Sequence, residues 1–223
     1  DTLTPVEEVM HSLDSLVRSG KVRYVGFSDF PAWATAQAQT LAQWRGYERL
    51  CALQLEYSLV ERNIEREHVH LAQEMGMGIC PWSPLAGGLL TGKHKKNHLT
   101  EGRLKTIQGS NNPLHQKTTD KNWSIADAVV MVSRELGKTP PQVALNWIAR
   151  RHGVTSTLIG VTKMEQLEDN LQALSFDIPE NLSKKLDLLS EPEFVGPYQF
   201  FRGVLHSSVT GGTEIRSEPL SFR

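Results

Sequence analysis

Few of the reactive side chains in this sequence fall into working patterns. His68 and His70 stand two apart on a stretch of helical periodicity, hence on different faces. His94 and His98 fall in a flexible loop without a carboxylate partner, so no metal site is expected. No G-x-S-x-G, phosphate-loop or G-x-G-x-x-G pattern occurs. Cys51 and Cys80 sit inside apolar runs and read as buried reduced thiols, which implies a reducing, cytoplasmic setting. The remaining candidates are polar groups at the ends of apolar segments. Gln54 is a lone amide inside Cys51-Ala52-Leu53-Gln54-Leu55 and calls for a buried partner. Ser28 and Asp29 can cap a helix after Pro31. Gly87-Gly88 permits a close backbone approach, which alone says little.

The elements that must position these groups alternate. Apolar residues at Val6, Val9, Met10, Leu13, Leu16 and Val17 make a helical stripe, with Thr4 as its cap, Pro5 as its first position and Gly20 as its stop. A strand follows over Val22 to Phe27, then an Ala- and Gln-rich helix from Pro31 to Trp44 and a strand over Cys51 to Glu56. A helix over Ile64 to Met75 and a strand over Met77 to Trp82 repeat the unit. Ser83 to Asn122 is then a long polar stretch, well beyond the usual loop of about 4 to 6 residues. Helices are expected at Ser124 to Leu136 and Pro141 to His152, a fourth strand at Ser156 to Gly160, and helices at Met164 to Ala173 and Pro179 to Leu189.

Strand-helix alternation implies parallel strands with right-handed crossovers. Four such units suffice for half of an eight-stranded α/β barrel: the fold class is α/β, a partial TIM barrel over residues 1–190 with an irregular tail at 191–223. The chain has 223 residues, against about 250 for a complete barrel. Its opening at Asp1 beside a helix cap suggests that something preceded it. A formal charge of -1 and 39% hydrophobic content give no electrostatic bias toward nucleic acid or an anionic membrane, and no run approaches a membrane span.

The strand ends carry Gly26-Phe27-Ser28-Asp29-Phe30, Gln54-Leu55-Glu56-Tyr57, Pro81-Trp82-Ser83-Pro84-Leu85-Ala86-Gly87-Gly88-Leu89, and Ile159-Gly160-Val161-Thr162-Lys163 running on to Gln166-Leu167-Glu168-Asp169-Asn170. In this order they resemble the aldo-keto reductase family, at the segments that follow barrel strands five to eight, and most closely its bacterial members and the potassium-channel β-subunits. The resemblance implies a nicotinamide cofactor, NADP(H) in preference to NAD(H), and a small carbonyl substrate. By resemblance, Ser28, Asp29 and Gln54 bond the nicotinamide carboxamide and Trp82 stacks on its ring. Asp29 departs from the family's usual Asn. Ser83, Pro84, Leu85, Gly87, Gly88 and Leu89 line the pyrophosphate, with Lys93 and Arg103 on a belt over it. Gly160, Thr162, Lys163, Gln166, Asp169 and Asn170 take the adenosine end, with Lys163 toward a ribose 2′-phosphate. Many relatives carry Arg in place of Gln166.

The family's catalytic tyrosine, Asp, Lys and His belong to the first four strands, and no catalytic residue is assigned here. A tyrosine of ordinary pKa, about 10, needs a neighbouring cation to act as an acid. Tyr24, Tyr47, Tyr57 and Tyr198 lack the family's catalytic context, and Tyr57 is expected to pack behind its strand. The expectation is therefore a carbonyl reductase represented by its cofactor-binding half and inactive alone. The alternative is a cofactor-binding regulatory module like a channel β-subunit. Aromatics in the Glu193 to Phe201 segment are candidates for a substrate wall.

Overall fold

A computed structural model describes residues 3–107, 111, 116–193, 195–200 and 208–213. The chain divides into two compact units. The first comprises Asp1–Leu55, Ile64–Cys80 and Glu193–Arg223, and the second Glu56–Asn63 and Pro81–Pro192.

The first unit contains α1 (Val6–Arg18), β1 (Val25–Ser28), α2 (Ala32–Arg45), β2 (Leu50–Glu56), α3 (His68–Glu74) and β3 (Gly78–Trp82), with β2 and β3 running on into the second unit at their last residues. The strands form one sheet in the order β1-β2-β3, and β1 pairs parallel to β2. That pairing depends on Gly26: a Cβ there would lie 2.5 Å from the carbonyl oxygen of Ala52, a contact that only backbone movement could relieve. Small residues likewise let α2 lie close, since Ala34, Ala38 and Ala42 are its buried face. Gln39, 2% exposed, fastens this helix. Its amide donates to the carbonyls of Leu50 at 3.0 Å and Met75 at 3.2 Å and accepts from the Leu50 N–H at 2.9 Å.

At α1 the structure moves the cap. Pro5 holds the N-cap position, and its carbonyl accepts from Glu8 and Val9, so the helix begins one residue after the position assigned to it with Thr4 as cap. Gly20, at φ 73°, ends it as expected. Asp14 on this helix accepts from Arg18 Nε at 2.6 Å and from the Glu48 N–H at 2.8 Å. Desolvation pushes its carboxyl up, but these donors outweigh that and hold it below the usual 3.8. In the tail, Arg66 donates to the Glu193 carbonyl and the Tyr198 hydroxyl to Glu67. Phe194 and Phe201 lie outside the described residues.

The second unit is built from α4 (Arg103–Ile107), α5 (Asp120–Leu136), α6 (Pro140–Ala149), α7 (Met164–Leu171) and α8 (Glu180–Ser190). Its core includes Tyr57, Leu89, Leu104, Ile125, Val129, Ile148 and Leu186, each at most 1% exposed, and burying one such aliphatic side chain is worth about 1.5–3 kcal/mol. Thr119 caps α5 by accepting from the Asn122 N–H, which starts the helix four residues before the expected Ser124. Thr139 and Gln142 form a reciprocal capping box at α6. Lys117, just before the α5 cap, reaches Glu56 at 3.2 Å and Glu61 at 3.5 Å.

The fourth strand expected at Ser156 to Gly160 is not formed, leaving three strands rather than four among the described residues. The Leu158 N–H donates to the Pro81 carbonyl at 2.9 Å, as a neighbouring strand would. Pro81 has no N–H to return, and Ser83 turns into the left-handed region at φ 55°, so the ladder stops after one bond. No helix among the described residues is long and apolar enough to cross a membrane.

Candidate functional site

In the first unit, β1 and β2 put Ser28 opposite Gln54 in register, with the Asp29 N–H donating to the Gln54 carbonyl at 3.1 Å. Gln54 is exposed, which corrects the expectation of a buried amide partner. Leu53 and Leu55 take the buried face of the strand, and alternation turns Gln54 to the opposite one. Ser28 and Asp29 are exposed beside it, their side chains 3.5 Å apart. Asp29 has φ 52°, a left-handed conformation that Asp tolerates better than most residues. No side chain caps α2, where Pro31 is the N-cap. Cys51 is also exposed, not buried, because a register irregularity between Val25 and Gly26 leaves it as the extra residue on β2; Cys80 is half-buried, and both thiols are free.

In the second unit the chain leaves β3 through a run of left-handed residues. Ser83 (φ 55°), Ala86 (φ 51°), Gly87 (φ 65°), Gly88 (φ 106°) and Gly92 (φ 74°) recur within ten positions. Such a run coils the backbone into a concavity whose N–H groups suit an anion. Part of that donor set is used internally, since Ala86 donates to Ser83 and both Gly88 and Leu90 donate to Leu85. Pro84 and Leu89 are buried and anchor the turn, while Trp82, Ser83, Leu85, Gly87 and Gly88 are half-buried.

Lys93 belongs to this turn. A side chain begun on Gly102 would start 2.6 Å from its Nζ, and one on Gly88 would start 4.0 Å from it. The next residue corrects the picture of a flexible loop. His94 is 6% exposed, with Nδ1 3.2 Å from Thr100 Oγ1 and Nε2 buried without a hydrogen-bond partner among the described residues. Burial, and secondarily Lys93, pulls this imidazole below the usual 6.5. Arg103 is exposed at the start of α4, and Lys96 is exposed and paired with Asp120.

The last motif lies on α7 and the chain leading into it. Gly160, Thr162, Lys163 and Gln166 are exposed, with Lys163 at the N-cap and Gln166 Oε1 folded back onto the Thr162 N–H at 3.0 Å. Asn170 is buried. Asp169 has structural partners: its carboxylate accepts from Thr139 Oγ1 at 2.8 Å and Gln142 Nε2 at 2.7 Å, tying α7 to the capping box of α6. A groove of about 260 Å³ elsewhere in this unit is lined by Asn146, Trp147 and Arg151 among others, and none of the motif residues lines it.

Two polar centres were not anticipated from the sequence: buried His94, and Lys117 between Glu56 and Glu61. The Lys117 contacts span 61 and 56 positions, so nothing local names its partners.

The sequence profile of the aldo/keto reductase family matches residues 1–191. An uncharacterized oxidoreductase of Bacillus subtilis (strain 168) is 33% identical over 84% of this chain and 55% of its own length. An aldo-keto reductase of Fusarium vanettenii is 30% identical over 86% of this chain and 50% of its own length. A protein of Oryza sativa subsp. japonica, named as a probable voltage-gated potassium channel subunit beta, is 30% identical over 78% of this chain and 53% of its own length. The chain thus spans about half the length of these curated relatives, and over that span it belongs to the aldo/keto reductase family.

Proposed function

We propose that this chain carries the cofactor-holding residues of an NADP(H)-dependent carbonyl reductase, corresponding to the C-terminal half of the family's barrel over residues 1–190. One observation carries the reading. Among the described residues only three non-glycine residues adopt positive φ: Asp29 and Ser83, directly after β1 and β3, and Ala86, three residues beyond Ser83. Left-handed conformations cost about 1–2 kcal/mol each outside glycine and persist where function needs the backbone shaped. Parallel α/β folds place their ligands at these C-terminal strand ends.

The residues fit the group chemically. In the first unit, Ser28, Asp29 and Gln54 offer hydroxyl, carboxylate and amide to a carboxamide, which needs both a donor and an acceptor. In the second, Trp82 presents a half-buried ring, and the turn from Ser83 to Leu89 with Lys93 and Arg103 presents backbone N–H groups and cations to phosphate oxygens. Lys163, exposed at the head of α7, is assigned to a ribose 2′-phosphate, and this assignment favours NADP(H) over NAD(H). Gln166, Asp169 and Asn170 are assigned to the adenosine end. A bound nicotinamide would supply the hydride for a ketone or aldehyde.

The general acid is proposed to lie outside these 223 residues. Tyr57 receives a hydrogen bond from Arg151 at 3.3 Å but is 1% exposed and cannot meet a substrate. The Glu67 hydrogen bond holds the Tyr198 phenol above its usual 10, the wrong direction for an acid at neutral pH. This chain alone is therefore expected to bind without turnover. Two free thiols fit the cytoplasmic setting of the same proposal.

The test is titration of NADPH and NADH against tryptophan fluorescence, with Lys163→Gln and Trp82→Phe. Quenching by NADPH that Trp82→Phe reduces, with Lys163→Gln costing NADPH at least about fivefold more affinity than NADH, supports the reading; roughly one charge-assisted hydrogen bond sets that ratio. No quenching at millimolar cofactor removes it. The rice relative favours a second reading, a cofactor-binding regulatory module. Oxidation of NADPH with an aldehyde panel, by the protein as its gene encodes it, supports the reductase; binding with no oxidation supports the module.

A further inference from the structure

His94 is a buried imidazole that the proposed cofactor roles leave unused. Its Nδ1 faces Thr100 Oγ1, and that hydroxyl has the Lys93 carbonyl at 3.3 Å as an acceptor. A hydroxyl carries one proton. If it donates to the carbonyl, its oxygen receives the proton on Nδ1, which fixes the neutral tautomer and leaves Nε2 as a bare lone pair. Nε2 is buried and has no hydrogen-bond partner among the described residues. It points into the Gly88 turn, where a Cβ on Gly88 would sit 3.5 Å from Nε2 and 4.0 Å from Lys93 Nζ. A buried polar atom without a partner costs about 1–3 kcal/mol, and an anion at this point would offer Nε2 an acceptor if the ring gained a proton.

We propose that an anion held in the Gly88 turn by Lys93 draws one proton from solvent onto His94 Nε2, which then donates to that anion, so that binding through this loop is linked to proton uptake. The inference rests on the reading that the turn receives the cofactor's phosphates. Lys93 supplies a positive charge beside the ring that opposes its protonation, and an anion neutralises that charge. Among the described residues from Gly92 to Ile107, the other charged or titratable groups are Lys95, Lys96 with its partner Asp120, His98, Arg103, and Glu101 with its partner Lys105; α5, packed on the turn, adds Lys121, Asp127, Arg134 and Glu135. His94 is the buried one among them. Thr100 keeps the cationic ring oriented, because a ring protonated at both nitrogens still donates through Nδ1.

The sign follows from linkage. An imidazole whose pKa rises on binding tightens the complex as pH falls, by up to about tenfold per pH unit between its free and bound values. The experiment titrates NADH, whose diphosphate bridge does not ionise in this range, into the 223-residue chain from pH 5.5 to 8.5. Calorimetry in buffers of different ionisation enthalpy counts the protons. The expected result is affinity falling at least about fivefold from pH 6 to pH 8 with net proton uptake, both absent in His94→Gln, which keeps an amide donor in place of the ring. Thr100→Val is a second variant that leaves the ring titratable and is expected to retain the uptake. A His94→Gln protein with the same pH slope and proton count as the parent overturns the inference while the cofactor reading stands. Absence of NADH and NADPH binding at every pH overturns both.

Discussion

Ser83→Gly separates a strained residue kept for function from one that is merely tolerated. Ser83 sits at φ 55°, immediately after β3, and its carbonyl accepts from the Ala86 N–H at 2.8 Å. A non-glycine residue there costs about 1–2 kcal/mol. Glycine removes that cost but adds unfolded-chain entropy worth about 0.4–1 kcal/mol. The net expectation is a gain of about 0.5–1 kcal/mol, or roughly 1–4 °C in Tm for a chain of this size. If the Ser83 hydroxyl bonds a cofactor phosphate, the same substitution removes one hydrogen bond to a charged group, about 1.5–3 kcal/mol, so NADPH affinity falls at least about tenfold. Ala86→Gly is the control, since it relieves similar strain at φ 51° without deleting a polar group. Urea denaturation and fluorescence titration of both variants read the two signs. Loss of stability in Ser83→Gly refutes the strain argument, and unchanged affinity refutes the role of the hydroxyl.

Three further outcomes follow from the geometry. Gly26→Ala forces a Cβ to within 2.5 Å of the Ala52 carbonyl oxygen and should cost about 1–3 kcal/mol, while Gly160→Ala, with open space and no positive φ, should be neutral or slightly stabilising; chemical denaturation of the pair checks this. Gln39→Leu removes the acceptor of the Leu50 N–H and a donor from the Leu50 carbonyl, while the Met75 carbonyl keeps Arg49 at 3.1 Å, and should cost about 1–3 kcal/mol, seen as a lowered urea midpoint with unchanged slope. Asp14 has a folded-state pKa below its unfolded 3.8, so its contribution is complete above that value and is lost as pH falls through the folded value. Urea midpoints from pH 5 to pH 2.5 should therefore drop less steeply in Asp14→Asn than in the parent.

How much of this was legible in the sequence depends on where the deciding information sits. Helices such as α2, α5 and α6 were readable because residue types and apolar spacing lie within the element, with Gly46 and Gly137 stopping α2 and α5, whereas the caps Thr119 and Thr139 went unread and the start of α5 was placed late. Position on β2 was also local, and the reading of Gln54 failed by weighing its apolar neighbours over strict alternation, which already separated it from Leu53 and Leu55. The missing fourth strand was not local at all. Thr157, Leu158 and Ile159 have the right residue types, but their ladder needed an N–H from a distant position that is Pro81.

His94 fails for a related reason. A Lys-rich neighbourhood predicts solvent, yet Thr100 and the Gly88 turn close over the ring, and that closure is a tertiary fact. The left-handed backbone is the hardest feature to foresee, because Gly87 and Gly88 announce the capacity for positive φ whereas Ser83 and Ala86 disguise it. Residue types that fit their conformation poorly carry more information about function than those that fit well. Glycine at Ser83 and Ala86 would relieve that strain, so the paired glycine variants test whether the proposed phosphate-bearing ligand in the concavity is what the left-handed backbone serves.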